Sequence, residues 1–234
     1  MNRQHNAKLD WITNDPEFVV AKHARGSTKN PEREDYEKLL FYCIRQGHWS
    51  IFEQVCASFE LLTTRAISAQ IIRHRSFHFQ ELSQRYCAPD NILEDAWRTA
   101  WDFELRAQDI KNRQNSLEFN DETVKEVLKE RIKAVFDDIE DVYHTLLESG
   151  VARECARNIL PMCTPTRLHM QGTLRDWIFY VGLRGAHGTQ KEHKVIAHDI
   201  GRTLSSYVPT TVRAILLNDD RALDGWRAID NLEV

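Results

Sequence analysis

The spacing of apolar residues along the chain is typical of amphipathic helices. The clearest helix covers residues 121–149, where apolar side chains recur every three or four positions and Gly150 follows as a terminator. Another helix is predicted after Pro31, and its apolar face runs up to Gly47, a residue suited to a left-handed stop. The capping-box pattern of residues 189–192 predicts a further helix that extends toward residue 207.

Two shorter segments have the two-residue period of half-buried strands. In residues 55–61, and again in residues 166–175, apolar side chains alternate with polar ones. Helices are also predicted at residues 65–75, 152–160 and 176–185, and a polar loop at residues 112–120. Helices outnumber strands, and no repeat or low-complexity linker divides the chain. We therefore expect a single α+β domain over residues 1–234.

Composition and charge are those of an ordinary globular protein. Hydrophobic residues make up 42% and charged residues 28%, and the net charge of −4 argues against binding of nucleic acid through bulk positive charge. The N-terminus lacks the apolar core of a signal peptide, and no run of about eighteen apolar residues occurs. The five cysteines show no CxxC spacing, which favours reduced thiols over a disulfide framework. We therefore expect a cytoplasmic location.

One segment, RHRSFHFQELSQRY at residues 73–86, is denser in anion-binding groups than any other part of the chain. Arginine presents a planar fork of donors that suits phosphate or carboxylate, so we expect a small anionic ligand here. Because the chain has no GxGxxG or GxxxxGK[ST] loop, side chains must hold any phosphate. For each arginine the alternative is an exposed helix face paired with glutamates. The candidates are Arg73, Arg75, Arg85, Arg153, Arg157, Arg175 and Arg184.

Two other chemistries are alternative interpretations of the same segment. His74 and His78 lie four apart with Glu81 nearby, which is typical of a metal-binding helix face. Arg75, however, stands where the zinc motif has a glutamate. Arginines interleaved with aromatic rings also fit a module that stacks single-stranded nucleic acid. No serine or cysteine nucleophile stands out, and a cofactor that carries the chemistry would explain this.

The segment at residues 73–86 resembles the signature of flavin-dependent thymidylate synthases, usually written RHRxxSxNxxSxR. Both the opening RHR and the closing ELSxRY match at the correct offset, and the resemblance extends over most of the chain. Similar segments elsewhere are RGS at residues 25–27, GHWSIFE at 47–53, RECARNILP at 153–161, TLRDWIFYVGLR at 173–184, and Gln190 with Glu192.

The resemblance implies an enzyme that methylates dUMP to dTMP without a cysteine nucleophile. Methylenetetrahydrofolate would donate the carbon, and FAD reduced by NADPH would supply the hydride. The resemblance also implies an α+β fold in which long helices flank a small antiparallel sheet. It further implies a homotetramer whose active sites are shared between subunits, with no metal and no membrane or nucleic-acid partner.

The expected site residues follow from the matched motifs. Arg184 matches the arginine that polarises the uracil ring of dUMP and favours loss of its ring-nitrogen proton. Arg73 would contact both FAD and dUMP. The other residues expected at the flavin are Ser50, His74, Arg75, Glu81, Thr173, Leu174 and Arg175, with Ser27, His48 and Glu53 as further members of its pocket. The other residues expected at dUMP are Gln70, Glu81, Leu82, Ser83, Gln84, Arg85 and Arg157.

The chain departs from the family pattern at several positions. His78 and Gln80 replace the signature's serine and asparagine. Thr173 stands where other members often carry asparagine, so a hydrogen bond to FAD does not carry over unchanged there. Away from the motifs, His193 and His198 lie five apart, do not share a helical face, and are expected at the surface.

Overall fold

Helices and strands alternate along the chain in the mixed order that the apolar pattern predicts. The computed structural model describes residues 4–230 and residue 232. Within them the strands are β1 (Asn6–Ile12), β2 (Cys56–Thr64), β3 (His78–Glu81), β4 (Arg106–Gln108), β5 (Ser116–Glu118) and β6 (Pro165–Thr173). The helices are α1 (Pro16–Ala24), α2 (Glu37–Arg45), α3 (Arg65–Ile71), α4 (Pro89–Ile92), α5 (Glu94–Arg98), α6 (Glu122–Glu148), α7 (Arg153–Ala156), α8 (Leu174–Arg184), α9 (Lys191–Tyr207), α10 (Pro209–Leu216) and α11 (Asp224–Arg227), with 3₁₀ helices at Trp49–Gln54, Arg157–Ile159 and Arg221–Leu223.

The larger sheet has the strand order β1-β2-β6-β3, and a separate antiparallel pair joins β4 to β5. In that pair Arg106 lies opposite Glu118, and Gln108 lies opposite Ser116. The two strands predicted from alternating polarity are β2 and β6, and they are neighbours at the centre of the larger sheet. The predicted α+β class with a small antiparallel sheet is confirmed.

The chain folds as two compact units. The first unit contains Leu62–Ile71 and Glu81–Leu168, together with Gln4. The second unit contains His5–Leu61, Ile72–Gln80 and the described chain from His169 onward. The expectation of a single catalytic domain stays a prediction.

Helix α8 lies in the core of the second unit. It packs against α9, against the 3₁₀ helix that follows α2, and against the C-terminal helix α11. The side chain of Trp177 is fully buried, as the apolar character of this helix predicts. The buried indole of Trp226 donates from Nε1 to the carbonyl oxygen of Ile178 at 2.8 Å. The C-terminal segment therefore packs against α8 and helps to fix its position.

One glycine makes this support possible. A Cβ atom on Gly182 would lie 2.1 Å from the carbonyl oxygen of Ala222 and 3.0 Å from the Cα atom of Leu223. No side chain fits in that space, so the two backbones can approach only because residue 182 is glycine. The contact matters for the site because Arg184 stands on the last turn of the same helix.

The first unit is dominated by α6, whose 27 residues match the helix predicted at residues 121–149. The Asp121 side chain caps this helix by accepting a hydrogen bond from the backbone N–H of Val124 at 3.0 Å. Phe136 and Tyr143 are its buried residues, whereas Val135 is 57% exposed. About half of the apolar residues in the predicted stripe are therefore exposed.

The helix predicted at residues 65–75 ends early, at Ile71, so Arg73 and Arg75 lie outside it. Two other predictions are wrong because contacts between distant residues override local pattern. Helix α2 begins at Glu37 and not directly after Pro31. The Arg25 guanidinium donates to the backbone carbonyl oxygens of Arg33 and Asp35, and these bonds stabilise the non-helical segment before α2. The segment predicted as a polar loop at residues 112–120 contains β5, which exists because it pairs with β4.

The capping box predicted at residues 189–192 is also wrong. Helix α9 has Gln190 at its N-cap and no side-chain cap hydrogen bond. A capping box forms instead between Thr173 and Asp176, at the start of α8. The end of α2 agrees with prediction, since Gly47 has a positive φ of 69°.

All five cysteines are free thiols. Burial raises the pKa of the thiols of Cys43 and Cys163, which keeps both protonated at physiological pH. Among the residues that the structure describes, no helix is long and apolar enough to cross a membrane.

Candidate active site

Arg73 and Arg75 open the segment at residues 73–86 and lie in the second unit. Between them in sequence is the half-buried His74. Nε2 of His74 lies 2.9 Å from Nε of Arg184 at the end of α8. An arginine Nε can only donate, so His74 Nε2 must be the acceptor and the imidazole proton must sit on Nδ1. Burial, and then the nearby charge of Arg184, lowers the pKa of His74 to about 4. The ring is therefore uncharged at physiological pH.

Arg73 and Arg75 flank this pair with exposed side chains. In the described part of the chain neither guanidinium forms an ion pair with a carboxylate. Both groups therefore keep their donors available for an anion. Together with Arg184 they give the second unit a local positive charge within a protein of net negative charge.

Buried aromatic rings pack around His74 and Phe77 in the second unit. His74 stands edge-on to Tyr180, with ring centroids 4.9 Å apart. Phe77 is 5% exposed and stands edge-on to Trp177 at 4.6 Å. A Cβ atom on Gly172 would lie 2.5 Å from Cδ1 of Phe77, so the segment has no spare room. Because Phe77 is buried in this way, it cannot stack on a base, and the nucleic-acid interpretation loses one of its aromatic groups.

Another histidine, His193, is fully buried and lies next to Tyr180. The Tyr180 hydroxyl oxygen and His193 Nε2 are 3.0 Å apart, and His193 is 0% exposed. Burial raises the pKa of Tyr180, and burial lowers the pKa of His193 to about 3, so both groups are neutral. The expectation that His193 lies at the surface is wrong. His198, expected there too, is half-buried, with Nε2 3.1 Å from the carbonyl oxygen of Gly185.

The residues predicted for the flavin at the start of α8 lie beside the 3₁₀ helix Trp49–Gln54. Arg175 forms an ion pair with Glu53, and both side chains remain partly exposed. Ser50 is exposed on the same 3₁₀ helix. The second unit therefore brings together two motif segments that are far apart in sequence. Ser27 and His48, the further members of the predicted pocket, are also exposed.

Thr173 and Leu174 already have partners inside the second unit. The Thr173 hydroxyl donates to Oδ2 of Asp176 at 2.6 Å and accepts from the backbone N–H of Asp176 at 3.2 Å. The Leu174 side chain is buried, and its backbone N–H donates to the carbonyl oxygen of Val55 at 2.7 Å. Both residues fix the first turn of α8. Their predicted contacts with the flavin stay predictions.

In the first unit, Glu81 fixes residues 81–86, the closing part of the segment at residues 73–86. Its Oε1 atom accepts hydrogen bonds from Ser68 Oγ at 2.6 Å and from Thr166 Oγ1 at 3.0 Å. A nitrogen of the Arg65 guanidinium lies 2.6 Å from the same oxygen. This carboxylate, predicted to bind flavin and dUMP, therefore has one oxygen fully engaged within the unit. It holds the end of β3 in place.

The turn after Glu81 carries groups that fit an anionic ligand. Arg85 is exposed and forms an ion pair with Glu154 at 3.1 Å. The Nε2 atom of Gln84 is buried and, among the described residues, has no hydrogen-bond partner. Arg85 and Glu154 lie at an open cleft of about 460 Å³, whose other lining residues are Ser83, Tyr86, Ala152 and Arg153.

The remaining residues predicted for dUMP are in the first unit as well. The backbone N–H of Leu82 donates to the carbonyl oxygen of Arg167 at 2.9 Å, which continues the anchoring of the turn. Gln70 lies in α3, and Arg157 begins the 3₁₀ helix after α7; both are half-buried. The first unit therefore holds most of the predicted nucleotide contacts, whereas Arg73 and Arg184 belong to the second.

The metal-binding interpretation gains no support from the geometry. In the described part of the chain, no group of three or more histidine, cysteine or carboxylate side chains could hold a metal ion. Nε2 of His74 is already engaged by Arg184, and His78 is exposed on β3.

Several side chains that hold the predicted residues in place were not found from the sequence: Arg65, Ser68, Glu154, Thr166, Tyr180 and His193. A signal did exist for His193, because it precedes Ile196 and Ala197 by three and four positions on the buried face of α9. Ser68 and Thr166 offered none, since their partner Glu81 is 13 and 85 positions away.

Comparison with known proteins agrees with this arrangement. Residues 9–210 match the sequence model of the family described as thymidylate synthase complementing protein. A flavin-dependent thymidylate synthase from Synechocystis sp. is 46% identical over 201 residues, which cover 86% of this chain and 89% of the relative. A probable flavin-dependent thymidylate synthase from Paramecium bursaria Chlorella virus 1 is 43% identical over 221 residues, which cover 90% of this chain and 98% of the relative.

The fold is also similar to that of a solved structure. The UMP/dUMP methylase PolB from Streptomyces cacaoi, bound with 5-Br dUMP, superposes with a TM-score of 0.75. The match covers 92% of this chain and 95% of that chain at 23% sequence identity. At this identity the similarity establishes the fold.

Proposed function

The chain belongs to the family of thymidylate synthase complementing proteins, and from that premise we propose that it is a flavin-dependent thymidylate synthase that converts dUMP to dTMP. The observation that carries the proposal is the guanidinium of Arg184, held by a neutral His74 within the RHR segment. The relatives in Synechocystis and the Chlorella virus carry this activity in their names. No part of the proposal needs a cysteine nucleophile.

Arg184 is proposed to bind the uracil ring and to stabilise the negative charge that develops on it. The hydrogen bond from its Nε to His74 fixes the plane of the guanidinium and leaves the two terminal nitrogens to donate. A cation fixed in advance stabilises developing charge without reorganising during the reaction. Loss of the ring-nitrogen proton then becomes easier, and the ring carbon that receives the new carbon unit becomes more nucleophilic.

The second unit offers a donor set that fits FAD. The guanidinium groups of Arg73 and Arg75 are exposed and suit an anionic diphosphate. Ser50 and Arg175 add a hydroxyl and a further cation on the same unit. When bound, FAD supplies the hydride that completes the methyl group, and we propose NADPH as its reductant and methylenetetrahydrofolate as the carbon donor. His74 contributes a neutral ring, which adds no positive charge of its own.

The first unit is proposed to hold the dUMP phosphate and sugar. Arg85 and Arg157 provide cations, and the exposed hydroxyl of Ser83 can donate to a phosphate oxygen. The buried amide of Gln84, which lacks a partner among the described residues, would gain one from the nucleotide. Glu81 fixes the turn that presents these groups.

We also propose that the protein is a homotetramer with shared active sites. A shared site allows arginines of different subunits to serve one substrate. The exposed apolar residues along α6 support an assembly, because a single chain leaves them uncovered. They are Val124, Val127, Leu128, Val135 and Val142.

The flavin part of the proposal is tested by a visible absorption spectrum of the purified protein. After incubation with FAD and removal of the unbound cofactor, we expect the bands of a protein-bound flavin. A protein that retains no flavin under these conditions would contradict the proposal.

The role of Arg184 is tested by Arg184→Ala. We expect the variant to keep FAD but to lose on the order of 100-fold in the rate of dUMP methylation, since fixed charges of this kind contribute that much. Arg213→Ala is the matched control, because its guanidinium pairs with Glu37 on the outside of the second unit. Unchanged turnover in Arg184→Ala would refute the proposed role.

A further inference from the structure

Tyr180 and His193 form a buried polar pair that the proposed reaction does not use. The hydroxyl oxygen and Nε2 are 3.0 Å apart, and both side chains are removed from solvent. Burying a hydroxyl and an imidazole is costly unless they are hydrogen-bonded to each other or to other groups. Most of the other buried residues of α8 and α9 are apolar, such as Val181 and Ile196, so filling the space between them does not require a polar pair. A role in geometry accounts for a polar pair in this place.

The pair is connected to Arg184 through direct contacts. The ring of His74 stands edge-on to Tyr180, with centroids 4.9 Å apart and planes at 73°. The same ring is nearly perpendicular to His193 at 6.3 Å. The Nε2 atom of His74 accepts the hydrogen bond from Arg184. His74 is therefore held by aromatic rings on one side and by the guanidinium on the other.

The helix adds a second connection between the same groups. Tyr180 and Arg184 are four residues apart on α8, so they lie one turn apart on the same face. A hydrogen bond that pins the Tyr180 hydroxyl prevents the ring from turning about its bond to the helix. The edge-on contact with His74, and hence the direction of the His74 lone pair toward Arg184, depends on that ring plane.

We propose that His193 is a positioning residue that acts through Tyr180 and His74 to orient the guanidinium of Arg184. His193 touches neither substrate nor flavin in this account. The inference rests on the function proposed for Arg184, but the geometric part of it can be measured without any turnover.

The test uses Tyr180→Phe, which removes one oxygen, and His193→Leu, which replaces the imidazole by an apolar group. We expect each to lower kcat for dTMP formation about 10-fold, because a displaced catalytic group loses rate steeply with distance. The KM for dUMP and the affinity for FAD should change much less than kcat, since the arginines proposed to hold the phosphate groups are untouched. His193→Gln, which can still bond to the tyrosine, should recover most of the rate.

The control is Ser205→Ala, on the same helix as His193. Ser205 is buried and donates to the carbonyl oxygen of Arg202 at 2.7 Å, so the variant also removes one buried hydrogen bond. Its kcat should equal that of the wild type. In an Arg184→Ala background, His193→Leu should cause no further loss of rate, because the group that it positions is gone. An equal loss in both backgrounds would overturn the inference.

Nitrogen NMR of the imidazole of His74 gives the second readout. In the wild type we expect the tautomer with its proton on Nδ1, as the bond from Arg184 requires. In Tyr180→Phe and His193→Leu the ring should populate both tautomers, while Ser205→Ala should leave it unchanged. A single unchanged tautomer in both variants would overturn the inference. If the wild type makes no dTMP, the proposed function fails, and this NMR result alone decides the positioning role.

Discussion

Replacing Gly182 by alanine should weaken the support that the C-terminal segment gives to α8. The new methyl group would lie 2.1 Å from the carbonyl oxygen of Ala222 and 3.0 Å from the Cα atom of Leu223. An ordinary contact needs at least 3.4 Å, so the backbones must separate by about 1.3 Å. Neither atom belongs to a flexible side chain that could turn aside. The substitution therefore has to move α8 or the segment behind it.

The expected magnitude combines two opposing effects. Overpacking of a close-packed interior typically costs 1–3 kcal/mol, and a clash with backbone on the far side places this case near about 3 kcal/mol. Alanine in a helix interior is more favourable than glycine by about 1 kcal/mol. The free energy of unfolding should therefore fall by about 2 kcal/mol. For a chain of this length that lowers the melting temperature by about 4–8 °C.

The measurement is thermal unfolding followed by circular dichroism, with turnover measured on the same samples. Gly26→Ala is the matched control, because Gly26 is exposed and its added Cβ would lie 3.3 Å from its nearest neighbour, the carbonyl oxygen of His23. That variant should melt within about 1 °C of the wild type. If Gly182→Ala melts as high as the wild type, the close approach of α8 and the C-terminal segment is not a feature of the folded protein.

Three further predictions follow from the two units. Arg73→Ala should weaken the affinity for both FAD and dUMP in equilibrium titrations, and normal affinity for both would show that this position does not contact them. Glu154→Gln should raise the affinity for dUMP about two-fold by releasing Arg85 from an exposed ion pair, and a weaker affinity would contradict that account. His74 and His193 have folded pKa values near 4 and 3, below the ordinary value of 6.5, so the unfolded state binds protons first as the pH falls. The urea midpoint should therefore be lower at about pH 5 than at about pH 7.5, with a smaller difference in His193→Leu, and an equal difference in the two proteins would refute this cause.

The sequence predicts most of the local structure and the chemical character of the site. Helix α6 and strand β6 could be placed within about two residues because their apolar periods are long and regular. The segment at residues 73–86 could be recognised because its arginines are crowded into a few positions. Short-range pattern carries this kind of information.

Contacts between distant residues could not be predicted in the same way. Arg184 and His74 are 110 positions apart, and no periodicity connects them. The anchoring of Glu81 by Ser68 and Thr166 depends on where α3 and β6 place two hydroxyl groups. The early part of the helix predicted after Pro31 is wrong for the same reason, since Arg25 stabilises a non-helical segment there by donating to two of its carbonyl oxygens.

The most direct test of the proposed function is formation of dTMP from dUMP by the purified protein. The assay contains methylenetetrahydrofolate, FAD and NADPH, and it follows either dTMP itself or tritium released from labelled dUMP. We expect dTMP to form with every component present and to be absent when FAD or methylenetetrahydrofolate is omitted. No dTMP from a folded, flavin-loaded protein supplied with all of these components would contradict the proposed function.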